Sequence, residues 1–181
     1  MSTEFIAQNK ARVSLETVTE LSANDLSELC DATEEAINSG GGFGWLAPPP
    51  RSILEDYWRG VLLIPERSLI IGKVDMVIAG SCQIVRPPRN NEAQAFACQL
   101  TTFFLAPWAR GYGLAQKLVN EAADFAKSQG FQVINLDVRA TQERAIQSFE
   151  ACGFERFGTN PFYALVDDEF VPGYYYSKEI R

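Results

Sequence analysis

A short turn between an apolar segment and an amphipathic segment constrains the fold of this chain more than any other feature. The apolar run ends at Pro107, the turn carries Arg110, Gly111 and Gly113, and helical spacing of apolar residues begins at Leu114. Proline ends strands, and glycine adopts backbone conformations that other residues avoid. The pattern therefore predicts a strand, a tight turn and a helix start that share one hydrophobic core.

The predicted helix start is either a site for an anion or only a strand-to-helix turn that tolerates glycine. The first backbone N–H groups of a helix have no partner within the helix, and the helix dipole makes that end positive. Glycines let a phosphate approach the backbone closely, and Arg110 adds a fixed positive charge. The turn is not a P-loop, because no Gly-Lys-Ser/Thr follows. It is not a dinucleotide fingerprint either, because Gln116 takes the place of the third glycine.

Hydrophobic periodicity predicts strands and helices along the rest of the chain. The predicted strands cover residues 12–18, 69–72, 76–84, 95–106, 131–138, 155–166 and 174–179, with a turn at 72–75. The predicted helices run from an N-cap at Ser22 to a stop at Ser39, and over residues 51–63, 113–128 and 141–151. The order β-α-α-β-β-β-α-β-α-β-β predicts an α/β (α+β) fold with a single mixed sheet and helices on its faces.

The length of 181 residues suits a single domain over residues 1–181, with residues 1–10 as a flexible tail. No apolar run has the length of a signal peptide or a membrane span, so we expect a cytoplasmic protein with no membrane partner. The four cysteines are widely spaced and form no CxxC pair, which favours free thiols over disulfides.

The composition excludes several kinds of site. The chain has no histidine, which excludes a Ser-His-Asp or Cys-His nucleophilic site and a histidine-ligated zinc. Any proton must therefore move through carboxylates, tyrosine, cysteine or water. The net charge of −7 argues against a nucleic-acid partner. It either favours cationic ligands such as amines or only keeps the protein in solution.

Two linked segments resemble the signatures of the GNAT family of N-acetyltransferases. Residues 110–115, Arg-Gly-Tyr-Gly-Leu-Ala, fit the signature Gln/Arg-x-x-Gly-x-Gly/Ala, and residues 136–154 resemble the strand and helix that end in Gly-Phe. The resemblance covers roughly residues 67–180 and implies a GNAT-like, mostly antiparallel sheet of about seven strands with helices on both faces. A closer likeness is to tabtoxin-resistance acetyltransferases, through a Gly-rich aromatic loop after the first helix and a Tyr-x-Lys ending.

The resemblance implies that acetyl-CoA is the cosubstrate and that no metal is needed. Its pyrophosphate is expected on the amides of one turn: Arg110, Gly111, Tyr112, Gly113, Leu114 and Ala115. Its pantetheine arm is expected beside a strand that the family splays from its neighbour: Phe103, Phe104 and Leu105. The remaining cofactor-binding candidates are Gln142, Ala145 and Phe149. Gln142 either contacts the pantetheine arm or faces solvent as a first-turn residue.

Two positions that the family uses to move protons hold other residues in this sequence. The position of the family's acidic tyrosine holds Phe149, which cannot donate a proton and is either a core or a cofactor-packing residue. Tyr163 is a substitute acid or an ordinary sheet tyrosine. The position of the family's glutamate base holds Gln99, so Asp137 is the better candidate for the catalytic base. Its alternative role is to cap a loop or to pair with an arginine.

Four aromatic residues lie in the loop after the first predicted helix and in the second predicted helix. By the resemblance they line the acceptor pocket, and otherwise they pack the first helices onto the sheet: Phe43, Trp45, Tyr57 and Trp58. The resemblance as a whole implies an N-acetyltransferase that acts on a small-molecule amine by direct transfer in a ternary complex, with a homodimer as the expected assembly. A non-catalytic acyl-CoA-binding sensor and a protein-lysine acetyltransferase remain as alternatives.

Overall fold

Seven strands form one continuous sheet in the part of the chain that the structure describes. The structure is a computed structural model and describes residues 11–41 and 43–181, so the predicted tail at residues 1–10 lies outside it. The strands are β1 (Val13–Val18), β2 (Arg67–Val74), β3 (Val77–Val85), β4 (Ala97–Leu105), β5 (Val133–Arg139), β6 (Glu155–Val166) and β7 (Glu169–Glu179). Their order is β1-β2-β3-β4-β5-β7-β6, and only the β4–β5 pair is parallel. The predicted mixed, mostly antiparallel sheet is confirmed.

Four helices pack on this sheet in the predicted chain order. They are α1 (Ala23–Asn38), α2 (Arg51–Leu63), α3 (Leu114–Ser128) and α4 (Glu143–Ala151). Ser22 caps α1 as predicted, because its Oγ accepts a hydrogen bond of 3.1 Å from the backbone N–H of Asp25. No helix within residues 11–41 and 43–181 is both long and apolar enough to cross a membrane.

Two hydrophobic cores lie on opposite faces of the sheet. The core under α3 contains the buried side chains of Leu118 and Ala122, and the core under α1 and α2 contains those of Leu29 and Leu54. Each fully buried leucine contributes about 1.5–3 kcal/mol relative to an exposed one. The two cores hold helices on both faces of the sheet, as predicted.

The turn between β2 and β3 differs from the prediction. The predicted turn covered residues 72–75, but β2 continues to Val74 and the turn lies at Asp75 and Met76, which have φ of 49° and 72°. Two left-handed residues are what a two-residue hairpin requires. Gly72 serves packing instead, because a Cβ there would lie 2.6 Å from Cδ1 of Leu114.

The last strand also begins earlier than predicted. β7 starts at Glu169, whereas the predicted strand began at residue 174. The pairing of β6 with β7 is irregular between Asn160 and Ala164, and Pro172 and Gly173 lie opposite that irregular segment. Proline and glycine are tolerated in strands at such bulges.

Candidate active site

The gap between β4 and β5 forms the centre of the site. The two strands pair only between residues 97–99 and 133–135. Thr102 has a left-handed backbone with φ of 54°, and with Phe103 it lies opposite the single residue Cys82, which makes a β-bulge in β4. A bulge bends a strand and increases its twist. The splay that the family resemblance implied is therefore present, and one side of β4 has no strand partner beyond the bulge.

Gly80 on β3 allows this bulge to form. A Cβ at Gly80 would overlap the carbonyl oxygen of Phe104 and would lie 3.1 Å from Cα of Leu105. Only a residue without a side chain permits this close approach of two backbones. The sequence analysis did not single out Gly80, because the contact joins two separate strands.

The turn before α3 carries a row of backbone donors without protein partners. Gly111 and Gly113 have φ of +88° and +73°, a conformation that L side chains rarely adopt. Within the described residues, no acceptor is paired with the backbone N–H groups of residues 111–116. The first N–H groups of a helix and its dipole attract an anion. The turn therefore has the donors that a phosphate group requires.

A cavity of about 860 Å³ lies against this turn and against the open side of β4. All but two of the predicted cofactor residues line it: Phe103, Phe104, Leu105, Arg110, Gly111, Gly113, Leu114, Ala115, Gln142 and Ala145. Tyr112 does not line it, and its side chain is exposed on the surface instead. Phe149 lines a neighbouring cavity rather than this one.

The end of α1 forms a wall of this cavity that the sequence analysis missed. Ser39, Gly40 and Gly41 line it, although in sequence they read only as a helix stop. Arg110 Nη2 donates a hydrogen bond of 3.3 Å to Ser39 Oγ. Gln142 Nε2 donates one to the carbonyl oxygen of Gly40. Arg110 and Gln142 therefore connect the turn before α3 and the start of α4 to the end of α1.

A second cavity of about 720 Å³ adjoins the first, and it is named the acceptor cavity after the predicted acceptor residues that line it. Five of its lining residues also line the first cavity and mark where the two meet: Gly41, Phe103, Arg139, Gln142 and Ala145. The β6–β7 hairpin closes one side through Tyr163, Ala164 and Leu165.

Asp137 lies in this second cavity in contact with Tyr163. The side chain of Asp137 is exposed on β5 and accepts a hydrogen bond from the hydroxyl of Tyr163 on β6. Burial, and then the hydrogen bond to Asp137, raise the pKa of Tyr163 well above its ordinary value. Tyr163 is therefore neutral at physiological pH and acts as a hydrogen-bond donor to the carboxylate.

Gly173 provides the space for this pair. β7 lies between β5 and β6, so the ring of Tyr163 must cross β7 to reach Asp137. It crosses over Gly173, where a Cβ would lie 2.6 Å from Tyr163 Cδ1 and closer still to Cγ and Cδ2. A glycine inside a strand often marks such a close approach.

Two positions that the family uses for proton transfer do not supply it here. Phe149 is buried, and its ring centroid lies 5.0 Å from that of Phe103 and 5.9 Å from that of Phe154. Gln99 is exposed and lines neither cavity. Asp137 is the one carboxylate that lines the second cavity among the described residues, and Tyr163 is hydrogen-bonded to it.

Three of the four predicted acceptor residues line the second cavity: Phe43, Trp45 and Tyr57. Trp58 does not, which corrects the prediction. Its side chain is fully buried under α1 and α2, and its Nε1 donates a hydrogen bond of 3.2 Å to Thr33 Oγ1. Adjacent helix residues point in directions about 100° apart, so Tyr57 reaches the cavity and Trp58 reaches the core.

The charge of the acceptor cavity differs from the charge of the whole chain. Its charged lining residues within the described part of the chain are Arg67, Asp137 and Arg139, which gives an excess of positive charge. The chain as a whole has a net charge of −7. The overall charge is therefore a poor guide to this cavity, and Arg67 is a lining residue that the sequence analysis missed.

The comparisons with known proteins agree with this geometry. The sequence profile of the acetyltransferase (GNAT) family matches residues 29–154. An uncharacterized N-acetyltransferase of the hisH–hisA intergenic region of Azospirillum brasilense is 56% identical over 132 residues, which cover 73% of this chain and 79% of that protein.

Solved structures show the same fold at low sequence identity. A spermidine N-acetyltransferase from Vibrio cholerae, in complex with CoA and spermine, superimposes with a TM-score of 0.74 at 15% identity, over 92% of this chain and 95% of that one. A phosphinothricin acetyltransferase from Sinorhizobium meliloti, in complex with acetyl-CoA, superimposes with a TM-score of 0.72 at 17% identity, over 94% of this chain and 88% of that one. With its signature turn, its splayed strands and these matches, the chain belongs to the GNAT family of acetyltransferases.

Proposed function

We propose that this chain transfers the acetyl group of acetyl-CoA to a small-molecule amine, by direct transfer in a ternary complex and with no metal ion taking part. The row of unpaired N–H groups at residues 111–116, at the wall of a cavity that continues into the β4–β5 gap, carries the proposal. Phosphate oxygens are the natural partners of such donors. The two solved relatives described above hold CoA or acetyl-CoA in the same fold.

The chain's own residues divide the binding of acetyl-CoA into two parts. The turn at residues 110–115 holds the pyrophosphate, and Arg110 adds a positive charge beside it. The open side of β4 at residues 103–105 binds the pantetheine arm as if it were an added strand. This arrangement puts the thioester in the gap, where the two cavities meet.

The transfer then proceeds in the acceptor cavity. The amine attacks the thioester carbonyl, and a backbone N–H near Leu105 stabilises the oxyanion that forms. Asp137 accepts the proton that the nitrogen loses as the C–N bond forms, directly or through a water molecule. The C–S bond breaks and the thiolate of CoA leaves.

Tyr163 positions Asp137 rather than protonating the thiolate. A thiol has an ordinary pKa of about 8.5, whereas the pKa of Tyr163 is raised above that of a free tyrosine. Proton transfer from such a phenol to a thiolate is uphill. A thiolate with this pKa leaves without an acid, so the absence of a hydroxyl at Phe149 does not stop the reaction.

A thiol-release assay with a panel of small amines tests this function. We expect Asp137→Asn to lower kcat roughly 10²- to 10⁴-fold while the KM for acetyl-CoA stays unchanged. The exposed Asp124→Asn on α3, which lies outside both cavities, is the matched control. Binding of acetyl-CoA without turnover of any amine indicates a sensor module instead, and turnover of peptides alone indicates a protein-lysine acetyltransferase.

We also propose that residues 1–181 act as one acyltransferase domain, that it forms a homodimer and that it works in the cytoplasm. Three exposed aromatic side chains on β6 and β7 support the dimer: Phe157, Phe162 and Phe170. The four cysteines are unpaired, as a reducing compartment requires. Light scattering at several concentrations tests the dimer. Turnover of tabtoxin-like amines tests the closer likeness to tabtoxin-resistance enzymes.

A further inference from the structure

We infer that Arg67 and Tyr57 form an anion subsite in the acceptor cavity, so that the acceptor is an amine that also carries a carboxylate. This inference rests on the proposed acetyl transfer and names the substrate class for it. It depends on Arg67, Tyr57 and the buried Gln83 that joins them.

The guanidinium of Arg67 lies in the cavity without an acidic partner. Arg67 is half-buried at the start of β2 and lines the acceptor cavity. Among the described residues, no carboxylate forms a salt bridge with it. Within the described residues, the guanidinium donates one hydrogen bond, from Nη1 to Gln83 Oε1 at 2.7 Å. A partly buried cation without a counter-ion is costly, and an anionic ligand removes that cost.

Hydrogen-bond chemistry fixes the orientation of the three side chains. Arginine only donates, so the amide oxygen of Gln83 must face Arg67 and its NH₂ must face Tyr57. Gln83 Nε2 accordingly donates to the hydroxyl oxygen of Tyr57 at 3.2 Å, and Gln83 is fully buried. The hydroxyl hydrogen of Tyr57 then remains available. The other guanidinium N–H groups of Arg67 remain available as well.

Arg67 and Tyr57 therefore present two hydrogen-bond donors, one of them charged, to the same side of the acceptor cavity. A carboxylate accepts such a pair of hydrogen bonds well, and arginine binds it with a planar fork. A diamine has no carboxylate, and its second nitrogen is a protonated ammonium group that only donates hydrogen bonds, so it offers these donors no acceptor. The aromatic rings of Phe43 and Trp45 lie beside them in the cavity and suit the carbon chain of the acceptor.

The subsite lies across the cavity from Asp137. Arg67 is on β2 and Asp137 is on β5, three strand positions away, which corresponds to at least about 14 Å between backbones at the usual spacing of ~4.8 Å, because β4 and β5 are splayed at Asp137. The two side chains shorten this distance within the cavity. The acceptor therefore has its reactive amine near Asp137 and its carboxylate several atoms away, as in lysine, ornithine or 5-aminopentanoate.

Matched pairs of amines test the subsite in the thiol-release assay. Lysine, ornithine and 5-aminopentanoate are compared with cadaverine, putrescine and butylamine, which lack only the carboxylate. We expect the wild type to prefer the carboxylate-bearing member roughly 10- to 100-fold in kcat/KM, the range for a hydrogen bond to a charged group. Arg67→Gln should abolish the preference by raising KM, and Arg67→Lys should retain part of it.

The controls separate this subsite from the proposed function. Arg59→Gln alters an exposed arginine of α2 outside both cavities and should leave the preference unchanged. If the amines without a carboxylate are used equally well, or if Arg67→Gln affects both members equally, the subsite is wrong and the acetyltransferase function stands. If no amine of either kind is used while acetyl-CoA binds, the carboxylate-amine substrate class is overturned. If acetyl-CoA does not bind, the proposed function itself fails.

Discussion

Gly173 offers a way to move the Tyr163–Asp137 pair without removing either side chain. The backbone at Gly173 does not have a positive φ, so alanine fits the local conformation there. Its Cβ, however, would lie 2.6 Å from Tyr163 Cδ1 and closer to two further ring atoms. Carbon atoms normally approach to about 3.5–4.0 Å, so the ring has to move by roughly 1 Å or more. Gly173→Ala therefore acts on the position of Tyr163.

The size of the effect follows from this displacement. A shift of about 1 Å takes the hydroxyl of Tyr163 out of good hydrogen-bond geometry with Asp137. A misplacement of that size can cost about 10²-fold in rate, so we expect kcat to fall by roughly that factor. The KM for acetyl-CoA should not change, because Gly173 does not line the first cavity, where acetyl-CoA is proposed to bind. The strain should also lower the free energy of unfolding by about 1–3 kcal/mol.

The matched control is Gly158→Ala on the neighbouring strand β6. A Cβ there would lie 3.7 Å from the side chain of Tyr175, which is an ordinary contact. We expect Gly158→Ala to retain the wild-type kcat in the thiol-release assay, with urea unfolding as the measure of stability. A Gly173→Ala protein that is folded and keeps the wild-type kcat would show that the position of Tyr163 does not matter for the reaction.

Three further predictions follow from the same structure. Trp58→Phe should lower the free energy of unfolding by about 1–3 kcal/mol and leave the KM of the acceptor unchanged, because it removes a buried hydrogen bond outside the cavity; a raised KM would contradict this placement. Burial and a hydrogen bond to Glu150 raise the pKa of Tyr176 to about 12, so stability is full below pH 10 and falls as the pH rises towards 12. Tyr176→Phe should reduce that loss in urea unfolding at pH 9 and 11, and an unchanged loss would refute the assignment. Burial raises the pKa of all four thiols, to about 11 for Cys30 and to about 12 for Cys82 and Cys98, but Cys152 alone among them is partly exposed, so it alone should react with a thiol reagent at pH 8 before unfolding.

The fold followed from the sequence because its signals are local. The apolar spacing of α3 and the proline and glycines around it are each contained in a short window, and the order of all strands and helices was predicted. The turn between β2 and β3 was misplaced, because Gly72 resembles a turn residue but makes room for Leu114. A glycine has the same appearance in sequence whether it serves a turn or a close contact.

The acceptor side was predicted less completely, because its contacts join distant segments. Tyr163 reaches Asp137 across an intervening strand, and it does so because Gly173 has no side chain. Arg67 lines the cavity and donates a hydrogen bond to Gln83 on another strand. The sequence around Gln83 does not indicate this contact. Such contacts depend on the register of the sheet, which the periodicity of a single strand does not specify.

Calorimetric titration with acetyl-CoA tests the central claim most directly. We predict that the wild type binds one molecule and that Gly111→Val together with Gly113→Val weakens the affinity at least tenfold, about 1.4 kcal/mol, because both backbones have positive φ at the turn. Gly130→Val is the matched control, since Gly130 also has positive φ, at +86°, but ends α3 away from the cavity. It should bind acetyl-CoA like the wild type. A wild type that does not bind acetyl-CoA, or a double variant that binds it unchanged, would contradict the account.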